Sequence, residues 1–161
     1  MPVTITAVDW SDPDAAALRE NHRAEAVDRD GGDGGGGDGG EPAPPPSDPD
    51  VALLLLARDR ATGVPVACVG LWPMGDGAAE ITQMYVVPQR RGEGLSRYLL
   101  AALEAEAGAF GWHVLRLRTG LSQPAAIALF SRSGYERIAS WPSAVSGDSV
   151  YFEKRLAPGS R

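Results

Sequence analysis

The residues with the clearest chemical potential are Gly92 and Gly94, which separate a β-branched segment, 81–87, from helix-forming residues that begin at Leu95. Glycine adopts left-handed backbone conformations at little steric cost, so a tight turn can present bare N–H groups on one side. A helix that begins directly afterwards adds its own unpaired N–H groups and the positive end of its dipole. The pattern therefore predicts a phosphate-type anion site over residues 91–96.

Two common phosphate-binding turns do not fit these residues. A P-loop ends in Gly-Lys-Ser or Gly-Lys-Thr, which is absent here, and a dinucleotide fingerprint has a third glycine where this chain has Arg97. The remaining pattern is Gln89-x-x-Gly92-x-Gly94. It resembles the acetyl-CoA motif of the GNAT superfamily of N-acyltransferases.

A second motif further along the chain strengthens the resemblance. Residues 123–135 are similar to the family's Asn-x-x-Ala-x-x-Leu-Tyr-x-x-x-Gly-Phe pattern, which lies on a strand-to-helix unit. They depart from it where Gln123 replaces Asn and Phe130 replaces Tyr. Two spaced motifs in the right order are hard to obtain by chance. The resemblance covers residues 51–156, with weaker agreement before them.

The resemblance implies that acetyl-CoA is the cosubstrate and that no metal is required. The pyrophosphate is expected on a cradle formed by Arg91, Gly92, Glu93, Gly94, Leu95 and Ser96. Because the amides of the pantetheine arm are similar to those of a peptide strand, the arm is expected to pair with the backbone of Met84, Tyr85 and Val86. The outer phosphates have three candidate partners, Arg90, Arg91 and Arg97. Gln123 either bonds the arm or caps the following helix.

Transfer of an acyl group from a thioester to an amine needs a base, an oxyanion donor and an acid for the thiolate. Glu80 opens the strand that leads to the cradle, and similar glutamates in GNAT enzymes take the proton of the amine directly or through water. The family places its oxyanion donor on a backbone N–H of this strand. Many relatives have a tyrosine hydroxyl at the position of Phe130, which has no proton to give. Either the thiolate leaves unprotonated, or a tyrosine substitutes: Tyr85, Tyr98 or Tyr151. The catalytic candidates are Glu80 and Tyr85.

The resulting hypothesis is an N-acetyltransferase that moves an acetyl group from acetyl-CoA to a primary amine by direct attack in a ternary complex. The alternative is a non-catalytic acyl-CoA-binding regulatory module, which the missing tyrosine makes conceivable. Small amines, peptides and antibiotics all fit as acceptors. Candidate residues for the acceptor pocket are His22, Trp72, Trp141, Tyr85 and Tyr151. A homodimer is compatible with the resemblance, since dimers are common in the family.

Hydrophobic periodicity predicts the elements that position these residues. Strands are predicted at 3–8, 51–58, 64–71, 79–87, 114–119, 135–141 and 149–155, with a turn at 72–77. Helices are predicted at 15–25 behind a cap at Ser11 or Asp12, from about Gly94 to 108–111, and from Pro124 to just before Gly134. The order β-α-loop-β-β-β-α-β-α-β-β predicts an α+β fold with a mixed, mostly antiparallel central sheet flanked by helices.

Length and composition bound the remaining possibilities. The 161 residues suit a single domain, 1–161, and the Gly- and Pro-rich stretch at 30–50 is expected to be a flexible insert near the acceptor entrance. A formal net charge of −6 disfavours nucleic acid and anionic membranes as partners. There is no apolar run of membrane-spanning length and no secretory signal, so a cytoplasmic protein is expected. The only cysteine, Cys68, is expected to be a small core residue.

Overall fold

The computed structural model describes residues 2–29, 53–75, 77–120, 124–139 and 149–156. Its strands are β1 (Val3–Ala7), β2 (Leu53–Asp59), β3 (Pro65–Gly75), β4 (Ala78–Val86), β5 (Val114–Gly120), β6 (Glu136–Ile138) and β7 (Ser149–Arg155). Its helices are α1 (Pro13–Arg29), α2 (Leu95–Phe110) and α3 (Pro124–Arg132). The predicted insert at 30–50, Gln123 and Trp141 lie outside the described residues.

The described strands form one seven-stranded sheet in the order β1-β2-β3-β4-β5-β7-β6. Every neighbouring pair is antiparallel except β4 and β5, which are parallel. The predicted α+β class is therefore confirmed. A parallel pair needs a crossover connection, and here α2 supplies it between β4 and β5.

The sheet has a core on each face. Leu95, Leu99 and Leu103 of α2 repeat at helical spacing and are buried in the larger core. On the opposite face, Ala15 and Leu18 of α1 pack in a smaller core against alternate residues of β2, β3 and β4. Alternation along β4 and β5 thus assigns each side chain either to the α2 face or to the α1 face.

The first helix begins as predicted, at Asp12. The Asp12 carboxylate accepts hydrogen bonds from the backbone N–H groups of Asp14 and Ala15, at 2.9 and 3.0 Å. These bonds satisfy N–H groups that have no partner within the helix. Of the two predicted caps, Asp12 and not Ser11 therefore performs this role, with Pro13 in the first turn.

The predicted turn at 72–77 is wrong in its extent. β3 continues to Gly75, and Trp72 pairs with Glu80 of β4 inside the ladder. Pro73 suggested a turn because it cannot donate to a ladder. In the structure, Pro73 pairs in register with Ala79 of β4, so it belongs to the ladder and does not end the strand.

Cys68 lies in the smaller core and is fully buried, as expected. Burial raises the pKa of the Cys68 thiol to about 12, so it stays protonated at neutral pH. No helix among the described residues is long and apolar enough to cross a bilayer.

Candidate active site

The central feature of the site is a wedge between β4 and β5. The two strands pair only at Ala78–Glu80 of β4 and Val114–Arg116 of β5. Beyond this contact, β5 pairs with β7 up to Gly120 and β4 continues beside β3, so the two strands separate. In the described part of the chain, the edge of β4 from Ile81 to Val86 that faces β5 has no strand partner.

The backbone of β4 is oriented to use this open edge. The Val87 N–H donates to the carbonyl of Val66 on β3 at 2.9 Å. Successive N–H groups along a strand point to opposite edges, so the N–H of Val86 points into the wedge. An extended ligand with amide groups could therefore pair there as a missing strand.

A β-bulge interrupts β4 at the middle of the wedge. Between the pairs Cys68↔Tyr85 and Gly70↔Thr82, β3 has one intervening residue and β4 has two. Such bulges re-aim side chains and often lie beside active sites. Here the bulge moves Met84 against the larger core and turns Tyr85 into the smaller one. The sequence pattern gave no signal for it.

The cradle follows β4 as the glycines predict. A short 3-10 turn at Pro88–Arg90 leads to Gly92 and Gly94, whose φ angles are 81° and 83°. Gly94 is the residue immediately before α2 and has no side chain with which to cap the helix. The first N–H groups of α2 therefore remain available to another partner. This combination of left-handed backbone and helix start is an anion-binding geometry.

The three arginines around the cradle have different environments. Arg90 pairs with Asp59 and Glu93, each at 2.9 Å, and the hydrogen bond to Glu93 is the main reason that the pKa of Arg90 is raised. Arg91 bonds Glu25 at 2.8 and 2.9 Å and donates from Nε to the Val86 carbonyl at 2.8 Å. Arg97, in the first turn of α2, is exposed and makes no ion pair with any residue that the structure describes.

Glu80 lies where β4 leaves β5. It is half-buried on the α1 face, between Trp72 of β3 and Arg116 of β5 in the strand register. Burial raises the pKa of the Glu80 carboxyl, and the charge of Arg118 partly opposes this shift. A carboxylate with a raised pKa at the mouth of a cleft is suited to accept a proton.

Tyr85 belongs to a cluster that joins α1 to β4. Its hydroxyl donates to Glu25 at 2.8 Å, and its ring stacks on His22 at 5.4 Å between centroids. Burial, followed by this hydrogen bond, raises the pKa of Tyr85. Tyr85 therefore holds its proton, and Glu25, which sequence reasoning missed, links it to Arg91.

An aromatic group borders Glu80 on the α1 face. The rings of Trp10 and Trp72 lie 6.3 Å apart, and the Arg19 guanidinium covers Trp10 at 3.8 Å from the ring centre. Arg19 also donates two bonds to the Trp10 carbonyl, at 3.0 and 3.1 Å. Trp10 was not among the predicted pocket residues, because it falls in a loop with no periodic signal.

Comparison with known proteins decides the family. The model described as "Acetyltransferase (GNAT) family" matches residues 37–135. A curated relative, an IAA acetyltransferase of Azospirillum brasilense, is 35% identical over 109 residues, which are 67% of this chain and 70% of that protein. The chain belongs to the GNAT acetyltransferase family. It is therefore an acyltransferase enzyme by class.

Solved structures agree with this membership. A Klebsiella pneumoniae protein assigned to the acyl-CoA N-acyltransferases is 33% identical, with a TM-score of 0.79 and coverage of 96% of this chain and 98% of that one. A phosphinothricin acetyltransferase of Sinorhizobium meliloti, solved with acetyl-CoA, has a TM-score of 0.70 at 19% identity, over 99% and 91% of the two chains. The second likeness shows the GNAT fold.

In this GNAT domain, Phe130 occupies the position where many relatives have a tyrosine, and it is a core residue. Phe130 is buried in the larger core against Tyr135 and Phe152, with ring centres 5.5 and 6.4 Å away. Tyr98 is exposed on α2, whereas Tyr151 is buried and pairs in register with Arg118. Among the residues described, no group of His, Cys, Asp or Glu is arranged to hold a metal.

Proposed function

We propose that this protein transfers an acetyl group from acetyl-CoA to a primary amine by direct attack in a ternary complex. The observation that carries the proposal is the position of Glu80. A half-buried carboxylate with a raised pKa stands where β4 and β5 begin to separate, on the face opposite α2. The cofactor and the amine can then approach one carbon atom from opposite faces of the sheet.

The donor side uses the cradle and the open edge of β4. The pyrophosphate would accept hydrogen bonds from the backbone between Arg91 and Ser96, assisted by the helix dipole. The pantetheine arm would extend into the wedge and pair with the Val86 N–H. Arg97 is available for an outer phosphate, while Arg91 orders the cradle through its bond to the Val86 carbonyl.

The reaction requires two proton transfers and one exchange of bonds at the thioester carbon. The amine loses a proton to Glu80, directly or through water, and its nitrogen forms a bond to the carbonyl carbon. The oxyanion accepts a hydrogen bond from a backbone N–H near the bulge. The intermediate then collapses, the C–S bond breaks, and CoA leaves as a thiolate. That thiolate takes its proton from water, since the Tyr85 hydroxyl already donates to Glu25.

The test is acetyl-CoA binding by calorimetry followed by thiol release with a panel of amines, amino acids and peptide N-termini. Glu80→Gln should bind acetyl-CoA as tightly as the native protein and lose about a hundredfold or more in kcat, since it cannot accept a proton. Glu136→Gln removes the same charge from an exposed position on β6 and should retain full activity.

Two outcomes would contradict the proposal. Full activity in Glu80→Gln would remove this carboxylate from the mechanism. Tight acetyl-CoA binding with no thiol release for any acceptor would favour the non-catalytic module.

A further inference from the structure

The α1 face of the wedge carries a guanidinium and an indole N–H that the transfer chemistry does not use. Resting on the proposed function, we infer that Arg118 and Trp72 bind a carboxylate of the acceptor. The acceptor class is then a free amino acid, whose amine faces Glu80 while its carboxylate faces Arg118.

The position of Arg118 follows from strand alternation. Leu115 and Leu117 of β5 are buried in the larger core, so Arg116 and Arg118 project to the opposite face, where Glu80 also lies. Arg118 is two residues beyond Arg116, past the last pair between β4 and β5. It therefore stands on the β5 wall of the wedge, and its charge acts on the Glu80 carboxyl across the gap.

The two arginines of this wall differ in their partners. Arg116 donates from Nε to Glu153 on β7 at 2.9 Å, which neutralises it. Arg118 is half-buried, and no described residue forms an ion pair with it. The Glu80 carboxylate acts on Arg118 only across the gap, beyond ion-pair distance, so this half-buried guanidinium has no direct charged partner among the described residues. A bound carboxylate would compensate, because the fork of Arg matches it with two parallel hydrogen bonds.

Trp72 supplies a second donor on the other side of Glu80. Its indole Nε1–H is buried and has no hydrogen-bond partner among the described residues. A buried N–H of this kind is rare in native structures and is often completed by a ligand or water. Trp72 lies directly across from Glu80 in the ladder of β3 and β4, and Arg118 lies on the other side of Glu80, two residues along β5 from its register neighbour Arg116.

The chemistry of the three groups defines the ligand. The Glu80 carboxylate can accept a hydrogen bond from an amine, and Arg118 and Trp72 can donate to an anion. Together they are complementary to a small zwitterion. In an α-amino acid one carbon separates the amine from the carboxylate, so binding at Arg118 would hold the amine near Glu80. The rings of Trp10 and Trp72 offer an apolar wall for the side chain. Amines and peptide N-termini without a nearby carboxylate would lack the anchor.

The experiment uses thiol release with the twenty L-amino acids, their carboxamides and the corresponding decarboxylated amines. The native enzyme should prefer an amino acid over its matched carboxamide and amine. Arg118→Gln should lower kcat/KM for the amino acid by about 10- to 100-fold, mainly through KM, because a charge-assisted bond is lost. It should change the values for the carboxamide and amine by much less.

Two further variants separate binding from folding. Trp72→Phe keeps an aromatic ring but removes the indole N–H together with the pyrrole ring, so it should weaken the amino acid more than its matched carboxamide and amine, which share any loss of packing against Trp10. Arg132→Gln removes a guanidinium from an exposed position at the end of α3 and should leave the preference unchanged. Melting temperatures of all variants check that the fold is retained.

The outcomes distinguish this inference from the proposed function. Equal acetylation of amino acids, carboxamides and amines, or an equal loss for all three in Arg118→Gln, would overturn the inference alone. Absence of thiol release with every compound would overturn the proposed function. In that case, titration of the twenty amino acids into CoA-saturated protein tests the inference directly. Binding that Arg118→Gln abolishes would support it, and binding that survives the change, or no binding, would overturn it.

Discussion

At the scale of single residues, the proposed chemistry depends on how burial and neighbouring charges change the pKa of a side chain. The place of Glu80 before the cradle motif makes it a candidate base, and burial raises the pKa of its carboxyl in the way that this proposed role requires. An exposed glutamate is deprotonated at neutral pH and is a weak base. Burial makes the charged form less favourable, which strengthens the tendency of Glu80 to take a proton. Arg118 limits this effect.

The pH profile of kcat/KM should report these two influences. The base must be deprotonated before it accepts a proton, so activity should fall as the pH drops through the raised pKa of Glu80. This acidic limb should lie above the ordinary range for glutamate. In Arg118→Gln the opposing charge is gone, so the pKa should rise and the limb should move to higher pH.

The control for this profile is Arg116→Gln, which removes the neighbouring guanidinium that already pairs with Glu153. The acidic limb of the kcat/KM profile should move less in Arg116→Gln than in Arg118→Gln. An acidic limb that stays in place when Arg118 is replaced would show that another group titrates.

At the scale of elements, the cradle and the wedge are made by conformations rather than by side chains. Gly92 has a left-handed backbone, and a Cβ added to it would meet no atom within 4 Å. The cost of a side chain there is therefore conformational, about 1–2 kcal/mol. Gly111, which ends α2, has the same sign of φ and equally open surroundings.

Gly92→Ala and Gly111→Ala form a matched pair. Both should lower the free energy of unfolding by a similar amount. Only Gly92→Ala should weaken acetyl-CoA binding, by about tenfold or more, because relaxation of the strained turn displaces N–H groups that face the phosphates. Calorimetry with acetyl-CoA measures the difference. Equal affinities in the two variants would show that the phosphates lie elsewhere.

Amide hydrogen exchange tests the wedge as an element. The Val86 N–H points to the open edge of β4, whereas the Val87 N–H is already bonded to Val66. Acetyl-CoA should therefore slow exchange at Val86 and leave Val87 nearly unchanged. If saturating acetyl-CoA alters neither amide, the pantetheine arm does not pair with β4.

At the scale of the whole molecule, the sheet consists of two parts with little direct pairing between them. Strands β1 to β4 are joined to β5, β7 and β6 through three residue pairs at one end of the wedge. The larger core and α2 hold the two parts together on one face. A ligand in the wedge would contact both parts and should stabilise the folded state as a unit.

Thermal unfolding should respond accordingly. Acetyl-CoA at a hundred times its dissociation constant should add about 2.7 kcal/mol of stability and raise the melting temperature. The Gly92→Ala variant should gain less at the same concentration because it binds more weakly. An identical rise in both proteins would contradict the assignment of the cradle.

Local sequence was sufficient for the fold class, for most elements and for the cradle, because each depends on short-range physics. Alternation predicted the strands, Asp12 and Pro13 marked the start of α1, and paired glycines before an amphipathic segment predicted the turn and helix. The local pattern predicts Trp72 in a turn, because Pro73 is a local breaker signal, whereas the pairing of Trp72 with Glu80 depends on the neighbouring strand.

Only the tertiary structure decided what surrounds Glu80 and the other candidate site residues. The order of the strands brings Trp72, Glu80 and Arg118 to one face, although 46 positions separate the first from the last. The pairing of Arg91 with Glu25 and the burial of Glu80 arise in the same way, from contacts between distant segments. Backbone preferences are set residue by residue along the sequence. The burial of a side chain, its ion pairs and the charges around it depend on which strands become neighbours. Local sequence therefore indicates the proposed donor site, whereas the proposed acceptor site depends on the fold.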